Sequence, residues 1–209
     1  LLADRGVEVI VGRLEGVEPG QRRLRAAGGR DLSYDALLVA VGAVRRSALA
    51  SATTFAGQRA PAELRALLRD AGAGKLARIV YAVPAGVTWT LPAYELALMT
   101  AAHFEDDDVA ADVALVTPEP RPLDAFGDRA SSAVAELLRS RRVAFHSATP
   151  MHVKANRLVV EGGDAVPADA VVALPELTAP EIAGLPRDDR GFLPIDEHCR
   201  VRGAPRVYA

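Results

Sequence analysis

Residues 78–117 read RIVYAVPAGVTWTLPAYELALMTAAHFEDDDVAADVALVT, and the succession of patterns in this stretch decides the fold class. Arg78-Ile79-Val80-Tyr81-Ala82-Val83 is a short, nearly continuous apolar run of the kind found in strands covered on both faces. Pro84 to Thr90 interrupts it as a loop. Pro92 to Phe104 then predicts a helix, with Leu91, Tyr94, Leu98 and Ala102 near one face. The acidic run Glu105 to Asp108 reads as a solvated helix end, and Val113-Ala114-Leu115-Val116-Thr117 follows as another buried strand. A strand, a helix and a strand of these lengths predict a βαβ unit with a right-handed crossover, and therefore a parallel sheet.

Working outward, the pattern repeats. Asp128 is expected to cap a helix running to Arg142, with Val134, Leu137 and Leu138 inward, and Val143-Ala144-Phe145-His146 returns as the next strand. Two alternating runs between His152 and Val160 are joined at Ala155-Asn156, and Ala170 to Leu174 forms one more apolar strand. On the other side, Pro61 opens a short helix with Leu64, Leu67 and Leu68 at helical spacing, stopped by Ala71 to Gly74. Val44 to Ala60 is small, polar and aperiodic and reads as a connecting loop. Further upstream, Val7 to Val17 and Arg22 to Ala27, punctuated by Pro19-Gly20 and Gly28-Gly29, predict a small antiparallel meander. Ala36-Leu37-Leu38-Val39-Ala40-Val41 reads as a buried strand ended by Gly42. Past residue 175 only short strands around Phe192 and Val207 are expected.

Composition sets the outer bounds. Half of the 209 residues are apolar, enough for a sizeable core. The net charge of -2 and the scattering of arginine among acidic residues argue against a nucleic-acid partner. A single cysteine, Cys199, excludes an internal disulfide and a paired-cysteine redox centre, and fits a reducing, cytoplasmic setting. No apolar run approaches the roughly 18 residues that a spanning helix needs. The chain begins on Leu1-Leu2 without an initiator methionine and stops on Arg206-Val207-Tyr208-Ala209, which reads as an interrupted strand, so an internal fragment of a longer protein is expected.

Few residues carry a chemical signal. A dinucleotide loop needs glycines directly after the first strand so that a diphosphate can approach main-chain amides at the helix start. The segment Val83 to Thr90 has one glycine, a proline without an N–H and an indole, so nicotinamide dinucleotide binding is not expected there. Glu119, beyond the next strand, could mimic a ribose-binding acid, but a solvated loop carboxylate is the favoured reading. Trp89 stands where open α/β sheets place ligands and could stack on a ring; the favoured alternative is a side chain that closes the end of the core. Tyr94 and Glu95 carry the same two readings. His103, His146, His152 and His198 have no metal-ligand spacing, no nucleophile sits beside a histidine in a recognisable turn, and Cys199 reads as an incidental thiol.

Three stretches resemble the pyridine nucleotide-disulfide oxidoreductase superfamily of flavoproteins, in its sulfide:quinone reductase-like and NADH dehydrogenase-like branch. Tyr34 to Ala43 (YDALLVAVGA) is similar to the strand and loop that return such chains to the FAD domain, with Val41 where the family usually has threonine. Pro84 to Met99 (PAGVTWTLPAYELALM) resembles the region of branch members whose second nucleotide loop has lost its glycines. Gly191 to Asp196 (GFLPID) with Val207-Tyr208-Ala209 is similar to the segment preceding the flavin-contacting Gly-Asp of the family.

The resemblance implies an α/β fold: a three-layer β/β/α Rossmann-like (FAD/NAD(P)-binding) domain with a parallel sheet, helices on one face and the Ala155 hairpin on the other, plus a partial β-meander from the flavin domain. The implied division is 1–60 as a partial FAD-domain segment, 61–175 as a degenerate NAD(P)-binding-like domain and 176–209 as a truncated return segment. It further implies FAD as the cofactor of the intact parent, not bound by this piece alone. Val41, Gly42 and Ala43 are then cofactor-binding, Pro84, Gly86 and Trp89 lie on the substrate or acceptor side, and no catalytic residue or metal is assigned. The partners implied are the missing FAD-domain halves of the same chain, with any membrane contact made through those missing parts. The expected function is a flavin-dependent oxidoreductase passing electrons through FAD to a quinone or similar acceptor, with the fragment itself inactive. Two other readings stay open: a divergent NAD(P)H-binding domain of a flavoprotein reductase, and a non-catalytic, nucleotide-free module that keeps the fold.

Overall fold

Alternation along the apolar strands explains the architecture, because a sheet that is hydrophobic on both faces must be covered on both. The computed structural model describes residues 6–56 and 60–209. They form two units, one comprising the chain up to Val44 together with Thr178–Ala209, the other Arg45–Leu177.

In the first unit, β1 (Leu14–Glu18), β2 (Arg23–Ala26) and β3 (Arg30–Ser33) form the expected antiparallel meander. β4 (Leu37–Leu38) pairs in parallel with the last strand of the chain, Val207–Tyr208. Val17, Val39, Ile182, Leu185, Val201 and Val207 make a small core. Two expectations are corrected here. Residues 7–13 are not strand, and Val11 is 97% exposed, because β-branched residues favour a strand only where a neighbouring strand pairs with them, and among the described residues no strand pairs along this stretch. The Ala36–Val41 strand is only two residues long and covered on one face: Val39 is buried while Leu38 and Val41 are exposed, since the strand that pairs with it, Val207–Tyr208, is equally short. Phe192 lies in a turn instead of a strand, its amide held by the Asp188 carboxylate at 2.8 Å. Glu197 to Arg200 is likewise a turn, with the amides of His198 and Arg200 both donating to Asp196 and Cys199 exposed at φ +60°.

The segment between Val44 and Ala60 is not a plain loop. It contains β5 (Val44–Arg46) and β6 (Thr53–Thr54), and β6 forms one edge of the main sheet through Thr53 opposite Val172 and Thr54 opposite Ala173. A two-residue strand is too short to leave a periodic pattern.

The second unit continues with α1 (Ala60–Gly72), β7 (Arg78–Ala82), α2 (Leu91–Asp106), β8 (Asp112–Thr117), α3 (Asp128–Ser140) and β9 (Ala144–Ser147). β10 (Pro150–Lys154), β11 (Arg157–Val160) and β12 (Ala165–Pro167) follow as an antiparallel meander, then β13 (Ala170–Ala173) and β14 (Glu176–Thr178). The main sheet is five-stranded and parallel, in the order β6-β13-β7-β8-β9. Ile79, Tyr81, Val83, Val113 and Leu115 face the helices and pack with Tyr94, Ala97, Ala101, Phe104 and Leu138. The alternate residues Val80, Ala82, Val116, Val171 and Ala173 pack on Leu158 and Val160 of the meander. This is the three-layer β/β/α arrangement. Alanines at 93, 97 and 101 let α2 lie close to β7 and β8. The β10–β11 turn uses Ala155 and Asn156, both at positive φ (49° and 57°), matching the twist of a two-residue hairpin. Asp128 does not cap α3. Gly127 holds that position at φ +85°, and Asp128 is the first helical residue, its carboxylate taking a hydrogen bond from Arg121.

Candidate functional site

At the C-terminal edge of the parallel sheet, β7 and β8 release the loops that lead into α2 and α3, the place where open α/β sheets bind ligands. After β7, Val83 stays in register through a bond from its amide to the Val116 carbonyl (2.8 Å), and Pro84 is buried. Gly86 turns the chain at φ +84°, with the Val87 amide donating to the Pro84 carbonyl at 3.3 Å. Trp89 is 58% exposed and packs against Phe126, their ring centroids 5.8 Å apart at 56°. It does not close the core, which was the favoured expectation; Val87 and Leu91 on either side pack inward instead.

The next residue begins a polar network. Thr90 stands at the N-cap of α2, yet its hydroxyl makes no cap to the helix amides. It donates to Glu119 Oε1 at 3.1 Å. Tyr94, one turn into the helix, donates to Glu119 Oε2 at 2.7 Å, and the Thr117 hydroxyl donates to the same oxygen at 3.1 Å. The Glu119 amide returns a bond to Thr117 Oγ1 at 3.3 Å, and the Leu123 amide donates to Tyr94 Oη at 3.1 Å. Thr117 is fully buried and Tyr94 nearly so. Burial, then the bond to Glu119, holds the Tyr94 phenol above its ordinary titration range, so it remains a donor.

Glu119 is therefore not a solvated loop carboxylate. Three hydroxyls from β8, the N-cap and α2 meet on it, because burial of Thr117 and Tyr94 leaves their polar atoms in need of a partner. Tyr94 follows the core reading with its hydroxyl satisfied, and Glu95 is exposed. Phe126 and the two threonines were not singled out from the sequence. The one available signal was the Thr117-Pro118-Glu119 run directly after an apolar strand.

In the first unit, Val41 and Gly42 line a cleft of about 210 Å³ together with Val39, Phe192, Ile195 and Ala209. Gly42 has φ +73° and nothing within 4 Å of where a Cβ would stand, so its backbone is open to a ligand. Ala43 is exposed and does not line the cleft. The lining is mainly apolar, with Arg187 at the rim paired to Glu181 at 3.7 Å. Ligand pockets commonly measure about 300–1,000 Å³, so these residues fit part of a flavin dinucleotide and not the whole. Among the described residues no group of histidine, cysteine and carboxylate side chains could hold a metal, and no helix is long and apolar enough to cross a membrane.

Residues 2–209 match the family model described as pyridine nucleotide-disulphide oxidoreductase. Among solved structures, the sulfide:quinone oxidoreductase from the hyperthermophilic bacterium Aquifex aeolicus superposes with a TM-score of 0.84 at 20% identity, over all of this chain and 53% of that one. A ferredoxin reductase for the CYP199A2 system from Rhodopseudomonas palustris gives 0.67 at 21% identity, over all of this chain and 51% of that one. The reduced CoADR-RHD of Bacillus anthracis gives 0.60 at 13%, over 95% and 36%. At these identities the likeness establishes the fold, and the chain spans about half the length of the first two. No curated protein sequence matches. The match to the family model along nearly the whole sequence means that this chain belongs to the pyridine nucleotide-disulphide oxidoreductase family.

Proposed function

We propose that the chain is part of a flavin-dependent oxidoreductase in which FAD passes electrons to a quinone or a similar acceptor, and that these 209 residues alone are catalytically silent. Family membership supports the reaction class, and the fold likeness to a sulfide:quinone oxidoreductase supports the acceptor class. The observation that carries the cofactor assignment is Gly42 in the lining of an apolar cleft, with no described atom within 4 Å of where a Cβ would stand. Bound there, FAD would supply the two-electron chemistry. The chain's own contribution is positional: Val39, Val41 and Phe192 exclude water from one side of the ligand, and Gly42 allows main chain to approach it. On the other unit, Pro84, Gly86 and Trp89 form the acceptor- or substrate-side loop, with Trp89 offering an exposed ring for stacking.

A cytoplasmic setting accords with the lone cysteine, and the expected partners are the remaining FAD-domain parts of the same parent. The decisive experiment is the flavin content of the intact parent purified without added cofactor. Stoichiometric FAD is expected, and a colourless, folded parent would overturn the proposal. A stable yellow complex of the 209-residue chain with FAD would refute its silence.

The rival reading, a divergent NAD(P)H domain, draws on the position of the α2 N-terminus at the C-terminal sheet edge. Saturable quenching of Trp89 by micromolar NADH would favour it.

A further inference from the structure

We propose that Glu119 is a resident anion standing in for a nucleotide diphosphate, and that its charge makes this sheet edge reject dinucleotides, so that the electron donor belongs to another chemical class. The inference rests on the reading of the second unit as a nucleotide-type domain that takes no nicotinamide.

A 16-residue helix beginning at the C-terminal edge of a parallel sheet ordinarily presents free amides and a positive dipole end to an anion. In this chain the anion is covalently supplied. Glu119 lies two residues past β8, and its carboxylate reaches both the N-cap residue, Thr90, and the first-turn region at Tyr94. Both oxygens are engaged, Oε1 by Thr90 and Oε2 by Tyr94 and Thr117. The Thr90 hydroxyl, the one of the three at the helix N-cap, is thus committed to this carboxylate. Thr90 shows the diversion directly, since a threonine at an N-cap usually bonds to the helix amides and this one does not.

Two prolines thin the backbone donors of the adjoining loop and first turn. Pro84 has no N–H, and Pro92 removes another amide in the first turn. A diphosphate arriving here would meet a fixed like charge in a partly desolvated site. At about 5 Å and an effective dielectric of about 20, that repulsion weakens anion binding by about 300-fold per unit charge. Neither the family pattern nor the glycine-poor loop assigns this role to Glu119. Loop crowding alone would exclude a dinucleotide whatever residue 119 is, which separates the two causes experimentally.

The test uses the 209-residue chain, with ADP as the probe and its only tryptophan, Trp89, adjacent to Thr90, as the reporter. Circular dichroism melting verifies the fold of each variant, and isothermal titration verifies binding. The wild type is expected to give no saturable response. Glu119→Gln, which keeps an acceptor oxygen for Tyr94 and Thr117, turns an amide N–H toward the Thr90 hydroxyl oxygen and removes the charge, is expected to bind ADP about 300-fold more tightly. Where the amide is not tolerated, Glu119→Ala replaces it. Tyr94→Phe, which leaves the carboxylate in place, is expected to gain nothing.

Saturable binding by the wild type, or gain in Tyr94→Phe equal to that in Glu119→Gln, overturns the proposal. So does a folded Glu119→Gln or Glu119→Ala with no response; that result leaves the non-nicotinamide reading intact and assigns the exclusion to the loop. Failure of that reading is recognised separately, by NADH quenching of wild-type Trp89.

Discussion

Replacing Gly184 with alanine is expected to open the first unit. Gly184 has φ +83°, and a Cβ added there would lie 1.9 Å from the Val17 carbonyl oxygen and 3.1 Å from its carbon. The approach is this close because the return segment pairs with β1: Gly16 bridges to Ala183, and the Val17 amide donates to the Ala183 carbonyl at 2.8 Å. Backbone atoms on both sides leave no flexible group to yield, so the segments must separate and that bond is lost.

Three costs combine. A left-handed alanine costs about 1–2 kcal/mol, a broken and partly buried hydrogen bond about 1–3, and displaced packing around Val17, Ile182 and Leu185 about 1–3. A total of about 3–8 kcal/mol is a large share of the roughly 5–15 kcal/mol that stabilises a whole domain. Gly203→Ala is the control. Its φ is +84°, but the nearest atom to the new Cβ is Pro186 Cγ at 4.0 Å, so strain acts there without a clash. Hydrogen exchange read at residues 14–18 and 182–185, alongside urea unfolding, measures both variants. Equal losses in Gly184→Ala and Gly203→Ala would refute the close-approach argument, as would unchanged exchange at Val17.

Tyr81 is buried with its hydroxyl 2.5 Å from Thr100, and burial pushes its pKa up from 10.0 to about 12. A folded pKa above the unfolded one means stability present below pH 10 and lost as pH rises from about 10 to about 12, by roughly 2–3 kcal/mol in total; Tyr81→Phe should flatten this alkaline limb in pH-dependent denaturation. Tyr34 Oη is buried without a hydrogen-bond partner among the described residues, so Tyr34→Phe is expected to be neutral or to stabilise by about 1 kcal/mol in urea melts, and a loss of that size would show a missed partner. The Asp169 carboxylate accepts the Ala77 amide at 2.9 Å and pairs with Arg78 at 3.4 Å, and the amide bond chiefly holds its pKa below the usual value. Its stabilisation is present above the unfolded carboxylate range and is lost as pH falls through the lowered pKa, so Asp169→Asn should weaken the chain by about 1 kcal/mol at neutral pH and remove part of its acid sensitivity.

The continuous apolar runs at Ile79 to Val83, Val113 to Thr117 and Ala170 to Leu174, the first two separated by a helical stretch, were enough by themselves to indicate a parallel sheet buried on both faces, because both sets of alternate side chains are apolar and the crossover lays a helix on the sheet. The turns at Gly28-Gly29 and Ala155-Asn156 were legible for the same local reason: the chemistry of a few adjacent residues selects the backbone. The tertiary structure alone decided what depends on neighbours far along the chain. Thr53-Thr54 became a strand because β13 pairs with it, whereas Val7 to Val11, stronger strand formers by composition, have no pairing strand among the described residues and stay exposed. Glu119 shows the point most sharply: beside Pro118 in the sequence it looks like any loop carboxylate, and only the crossing of α2 over β8 brings Thr90 and Tyr94, 29 and 25 residues upstream, onto its oxygens. Local periodicity encodes which faces are apolar; where a buried hydroxyl finds its acceptor is set by packing across the layers.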